Sequence, residues 1–225
     1  MNFPVNPQLD VERARFNMVE QQIRPWEVLD PRVLDLLLRV RREEYVPPRY
    51  RALAFADMEI PLGHGERMLA PKIEARMLQE LQLAPGDRVL EVGTGSGFMT
   101  ALLASLGSHV YSVDIIPDFI QPAGANLRAH GIANVTLDTG DAARGWDRYA
   151  PYDAIVVTGS MPVLPDAFPK SLRPGGRLIV VVGEPPVMEA RLITSAGPGA
   201  CSTVVLFETC IASLRNAVQP ERFVF

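Results

Sequence analysis

Three glycines at alternate positions, Gly93, Gly95 and Gly97 in VLEVGTGSG, carry the strongest chemical signal in the sequence. Glycine adopts backbone angles closed to other residues and lets a ligand approach the main chain without a Cβ in the way. The turn Gly93–Thr94–Gly95–Ser96–Gly97 follows a short apolar run and precedes FMTALLASL. That is the strand-to-helix junction at which open α/β sheets bind ligands. A dinucleotide fingerprint needs its third glycine one residue later, where Phe98 stands. Glu91, two residues before the first glycine, would repel a pyrophosphate but can accept hydrogen bonds from a cationic amino group. The pattern therefore favours a ligand with a zwitterionic amino-acid part over a dinucleotide.

Two more carboxylates fall at comparable places. Asp114 closes HVYSVD, 17 residues after Gly97, where an acidic side chain can take the hydroxyls of a ribose. Gly140–Asp141–Ala142 follows the next strand-like run and can set a carboxylate beside an adenine amino group. Taken singly, the first reads equally as a helix cap and the second as an ordinary Asp turn. Three acidic positions at successive strand ends make a common ligand the better explanation. His109 opens a strand and His130 ends a helix next to Gly131, so both read as structural. The histidines and cysteines lack ligand spacing, so no metal site is expected. Phe98, Met77, Met99 and Phe207 fit core positions.

The elements that must position these residues alternate in type. RVLEV, HVYSVD, VTLDT, YDAIVVT and GRLIVVVG read as strands, with helices in FMTALLASL and FIQPAGANLRAH and a weaker one in DAFPKSL. Such alternation predicts an α/β fold: a mostly parallel twisted sheet with helices on both faces. EARLITSAGPGACSTVVLFETC then predicts an antiparallel C-terminal hairpin at the sheet edge. Upstream, residues 10–23 are expected to form a helix capped by Asp10, and Asp30–Pro31 to start a second. Ile60–Pro71 reads as a loop and IEARMLQELQL as a helix. These segments describe an N-terminal helical cap and active-site loop over residues 1–80, ahead of a ligand-binding domain over 81–225, the whole one compact unit.

A chain of 225 residues with 48% hydrophobic and 21% charged residues is that of a folded protein, not a disordered one. A net charge of −4 without a Lys/Arg block argues against a nucleic-acid partner. The N-terminus lacks a secretory pattern and no apolar run approaches a membrane span, so the cytoplasm is the expected compartment. Cys201 and Cys210 lie among apolar residues and are expected to be buried. The C-terminal QPERFVF is apolar enough to dock against something.

The sequence resembles the protein-L-isoaspartate O-methyltransferases, within the S-adenosylmethionine (SAM)-dependent methyltransferases of Rossmann-like fold. The resemblance runs from about Phe16 to Gly183 and rests on VRREEYVPPRYRALAFADMEIPLGHG, RVLEVGTGSGFMTALLA, YDAIVVTGSMPVLPDAF and LRPGGRLIVVVG. It implies that Glu91 and Gly93–Gly97, with Thr94 and Ser96, hold the methionine part of SAM. Asp114 and Ile115 would hold the ribose side, Asp141 with Ala142 the adenine, and Thr158 would face the active site. It also implies a protein or peptide isoaspartyl substrate and S-adenosyl-L-homocysteine as product.

Near the acceptor, the candidates are His64, Glu66, Arg67 and Leu69. Arg67 can pair with an acceptor carboxylate, or be a solvated loop residue. His64 can serve an acceptor with a proton to lose, or be a turn element. In the family, a Gly-Gln-Thr-Ile-Ser-x-Pro segment occupies Gly65–Pro71, so Glu66 replaces the glutamine and Leu69 the serine. Leucine donates no hydrogen bond. A methyltransferase for a small molecule or another protein carboxylate, and a SAM-binding protein without isoaspartyl activity, are therefore the alternatives.

Overall fold

Beyond residue 80 the alternating pattern resolves into one seven-stranded sheet. Its strands are β3 (Arg88–Val92), β4 (His109–Asp114), β5 (Val135–Thr139), β6 (Tyr152–Met161), β7 (Leu172–Glu184), β8 (Val187–Gly197) and β9 (Ala200–Thr209), in the order β5-β4-β3-β6-β7-β8-β9. The first five pair in parallel; β7–β8 and β8–β9 are antiparallel. The connecting helices are α4 (Phe98–Leu106), α5 (Pro117–Ala129) and the short α6 (Ala167–Lys170). The chain runs outward from β3 through β4 to β5, then crosses to the other side of β3 with β6 and β7. Right-handed crossovers therefore put α4 and α5 on one face and α6 on the other. The reversal makes the carboxyl end of β3 the switch point at which such sheets hold ligands. Beneath it lies a core that includes the fully buried Leu90, Ile155, Val157, Leu178 and Val180.

The computed structural model describes residues 7–221, and the chain divides into two compact units, Met1–Gln79 and Glu80–Phe225. Residues 222–225, most of the apolar tail expected to dock, lie outside the described residues, as do residues 1–6 at the start that lacked a secretory pattern.

The first unit carries α1 (Pro7–Met18), a π turn at Val19–Ile23, α2 (Pro31–Arg39), 3-10 segments at Arg24–Trp26, Arg42–Glu44 and Pro48–Leu53, a hairpin, and most of α3 (Pro71–Leu81). α1 starts three residues earlier than expected, so Asp10 lies within its first turn and is not the cap. A proline is tolerated at the first helical position, where its missing N–H costs nothing. At α2 the expected cap holds: Asp30 Oδ1 accepts from the amide N of Arg32 at 2.8 Å, and the Arg32 guanidinium closes on the same carboxylate.

Two expectations are corrected. Ile60–Pro71 is not a plain loop; it contains β1 (Ile60–Gly63) and β2 (Glu66–Met68), paired antiparallel. The turn between them has His64 at φ 53° and Gly65 at φ 85°, the two left-handed residues that a two-residue hairpin turn of type I′ requires. Cys201 and Cys210 are not buried; both are free and exposed. They lie on or just after β9, which among the described residues pairs with β8 alone and is largely open to solvent. Among the described residues no helix is long and apolar enough to cross a membrane.

The cap generates a pH-dependent stability prediction. Hydrogen bonding to Arg32 holds the Asp30 carboxyl below its ordinary value. A carboxyl lowered on folding stabilises the fold above its unfolded pKa and loses that contribution as pH falls. Asp30→Ala should cost about 1 kcal/mol at pH 7. Urea unfolding of both proteins at pH 7 and pH 3 checks this: the gap should shrink in acid, and an equal gap at both would contradict the cap.

Candidate functional site

The ends of three strands are zipped together at the switch point. Gly93 N donates to Val113 O at 2.8 Å, and Gly140 N donates to Asp114 O at 2.9 Å. These bonds extend the parallel ladder past β3 and β5, so the glycine turn, Asp114 and the Asp141 loop share one edge. The turn is closed by Gly97 N donating to Thr94 O at 2.8 Å. Gly93, Gly95 and Gly97 take φ of 99°, 50° and 82°, left-handed values that explain why glycine recurs here. A Cβ on Gly93 would also overlap the hydroxyl of Thr158.

Asp114 is the anchor of this edge. Its Oδ2 accepts from Gly95 N and its Oδ1 from Ile116 N, both at 2.9 Å. The carboxylate is thus fixed between the glycine turn and the start of α5, and the side chain stays nearly buried. Ile115 beside it is half-buried. In the next loop Asp141 is exposed; its Oδ1 accepts from Ala143 N at 3.0 Å and its Oδ2 from Asn216 Nδ2 at 2.9 Å. Ala142 is buried behind it.

Glu91 lies at the end of β3, below the turn. It is fully buried, and its Oε2 accepts from the hydroxyls of Thr100, on α4, and Ser112, on β4, at 2.5 and 2.6 Å. The Ser112 hydroxyl in turn lies 2.6 Å from that of Thr94 in the turn. Glu91 therefore ties strand, helix and turn together from below. Sequence reasoning missed Thr100 and Ser112, although a polar residue inside an apolar helix and one inside an apolar strand were the available signal.

Thr158 acts on the turn as well. Its hydroxyl donates to the carbonyls of Val92 and Gly93, at 3.0 and 2.9 Å. Val157 of β6 pairs with Val92 of β3, which puts Thr158 beside Gly93; between Val156 and Ser160 the pairing of β6 with β7 shifts. No cluster of His, Cys, Asp or Glu suited to a metal occurs among the described residues. His109 bonds Thr136 and His130 bonds the carbonyl of Asn126, in keeping with structural roles.

The acceptor-side candidates belong to the first unit and sit together on the hairpin. His64 is exposed at its tip, and Arg67 on β2 is exposed with its Nε 3.9 Å from Glu59. Burial raises the Glu59 carboxyl, which Arg67 opposes. Glu66 is half-buried and Leu69 is buried. Just below the hairpin the Arg42 guanidinium, fully buried, pairs with Glu74 of α3. Burial pushes Glu74 up to about 7 and pushes Arg42 down, each opposed by the other's charge. Neither residue stood out in the sequence, since 32 positions separate them.

Comparison with known proteins places this geometry in a family. The family model of protein-L-isoaspartate(D-aspartate) O-methyltransferase matches residues 13–203. A protein-L-isoaspartate O-methyltransferase 1 of Rhodopseudomonas palustris is 45% identical over 169 residues, covering 75% of this chain and 69% of its own. A protein-L-isoaspartate O-methyltransferase of Aeropyrum pernix is 40% identical over 190 residues, 83% of this chain and 73% of its own. A solved protein-L-isoaspartate O-methyltransferase has the same fold, with a TM-score of 0.76 at 24% identity; the match covers 91% of this chain and 65% of that one. A Plasmodium falciparum structure described as a putative member, crystallised with S-adenosyl-L-homocysteine, gives 0.74 at 22% identity, over 89% of this chain and 98% of that one. This chain belongs to the protein-L-isoaspartate(D-aspartate) O-methyltransferase family, whose activity is SAM-dependent methyl transfer, and has the Rossmann-like fold expected of it.

Proposed function

We propose that the chain methylates the carboxylate of isoaspartyl residues in damaged proteins, with SAM held along the carboxyl ends of β3, β4 and β5. The observation that carries this reading is the zipped edge itself, which sets a glycine turn beside two fixed carboxylates in a chain of this family. The donor set suits SAM: the turn carries no Arg or Lys for phosphates, and Asp114 and Asp141 are acceptors for hydroxyl and amino groups. In this reading the backbone of Gly93–Gly97 receives the methionine part and Asp114 with Ile115 the ribose side. Asp141 with Ala142 takes the adenine. Glu91 and Thr158 hold the turn in shape beneath and beside it. Two exposed free thiols support a reducing compartment, and the cytoplasm is the compartment this reading takes.

Bound SAM supplies an electrophilic methyl group on a sulfonium. An acceptor carboxylate is ionised at neutral pH and attacks without a general base. The protein's own residues have therefore to align the two and exclude water, and no proton need be moved. Arg67, exposed and only loosely paired with Glu59, is the cation best suited to recruit the acceptor carboxylate. His64 serves as a turn residue. Leu69, buried and without a donor, favours a second reading in which the acceptor is a different carboxylate.

Transfer from labelled SAM to an isoaspartyl peptide, beside its aspartyl twin and with SAM affinity measured by calorimetry, tests the proposal. Selective labelling of the isoaspartyl form is expected; SAM binding without labelling would select another acceptor. Gly95→Val puts a β-branched side chain at φ 50° against the ligand and should abolish SAM binding with the far-UV dichroism unchanged. Normal SAM affinity in that variant would remove the turn from the site. Thr158→Val keeps the side chain's shape but drops the bonds to Val92 and Gly93, and should weaken SAM about tenfold, or about 1.4 kcal/mol. An unchanged affinity would mean the turn holds its shape without Thr158.

A further inference from the structure

Arg42 spends all three sides of its guanidinium on separate segments of the first unit. Nε donates to Ala54 O at 2.9 Å, Nη2 donates to Leu69 O at 2.6 Å, and Nη1 pairs with Glu74. Ala54 precedes β1 and Leu69 follows β2, so one side chain grips both ends of the stretch that contains the hairpin. Nearby links brace the same base. Glu43, next in sequence, pairs with Arg15 of α1, and Lys72 of α3 reaches Asp57 at 2.7 Å.

A buried ion pair is poor evidence of a stability role, because apolar side chains of similar volume often serve as well or better. Apolar side chains cannot hold two backbone carbonyls at a set separation. A planar fork of fixed donors can, and a lysine ammonium, a single point of charge, cannot reproduce it. We propose that Arg42 is a positioning residue for methyl transfer: with Glu74 it clamps Ala54 and Leu69 and so fixes the shape of the hairpin that carries Arg67, the residue proposed above to recruit the acceptor. This rests on the isoaspartyl reading above for its kinetic consequence, but not for its structural one.

The test uses the full chain with Arg42→Lys, and with the double substitution Arg42→Met and Glu74→Leu, which removes both charges at once. Three quantities are read: hydrogen exchange over residues 54–70, SAM affinity, and KM and kcat for an isoaspartyl peptide. Exchange over 54–70 should accelerate while β3–β6 stay protected. SAM affinity should hold within about twofold, and peptide KM should rise about 10-fold or more, with kcat changing less. Unchanged exchange over 54–70 with unchanged KM would overturn the proposal. Loss of protection throughout the chain in both variants would overturn it equally, by making Arg42 a general stability element. If the wild-type chain methylates no isoaspartyl peptide, the functional reading fails by itself, and exchange over 54–70 still decides the clamp.

Discussion

The buried carboxylate of Glu91 is the constraint around which the cofactor side of this protein is built. An ionised carboxylate without water is costly to bury unless hydrogen-bond donors replace its hydration. Thr100 and Ser112 supply them from a helix and a strand on either side of the turn, and Thr94 joins through Ser112. To satisfy one buried carboxyl group, α4, β4 and the glycine turn must come to a single point beneath the ligand edge. Such a network is worth most when every member is satisfied, because the low dielectric that strengthens each bond also penalises a missing one. The glycines then serve a backbone already fixed from below. Asp114 repeats the logic at the next strand, with two amide donors instead of two hydroxyls.

Much of this was legible in the sequence because its signals are local. β3, α4, β4 and β5 have the limits that periodicity and the glycine turn suggested, since each is a short buried strand or a helix bounded by turn residues. Asp30–Pro31 also marked a helix start correctly, because a cap and an N1 proline act on adjacent residues. The failures share a different cause. Two prolines and three turn residues made Ile60–Pro71 look unstructured, whereas Gly63, His64 and Gly65 make the tight reversal of a short hairpin. The cysteines sit in an apolar stretch, but β9 is an edge strand, and exposure there depends on sheet order, which a linear pattern does not contain.

The site residues divide along the same line. Glycines and acids at strand ends are visible because the fold class dictates where ligands meet the sheet. What supports them is not visible. Thr100, Ser112 and Thr158 are ordinary polar residues until the strands are set side by side, and the pairing of Val157 with Val92 that brings Thr158 beside Gly93 has no sequence mark of its own. Glu91 was legible as important from its motif position, but its bonds to Thr100 and Ser112 were not, because they join residues distant in sequence.

The two units solve the problem of holding a functional loop in different ways. In the second, the glycine turn continues a parallel ladder, so the main-chain bond from Gly93 to Val113 and the bond from Gly95 to the Asp114 carboxylate fix it. In the first, the hairpin has only a three-residue strand against a four-residue one, too short a ladder to hold a shape by itself. A buried guanidinium makes up the difference, and it does so through the carbonyl of Leu69, not through that residue's side chain. The clamp is therefore indifferent to the side chain at this position. The side chain at 69 can thus change while the backbone path of the hairpin is kept, since the clamp reads the carbonyl and not the side chain.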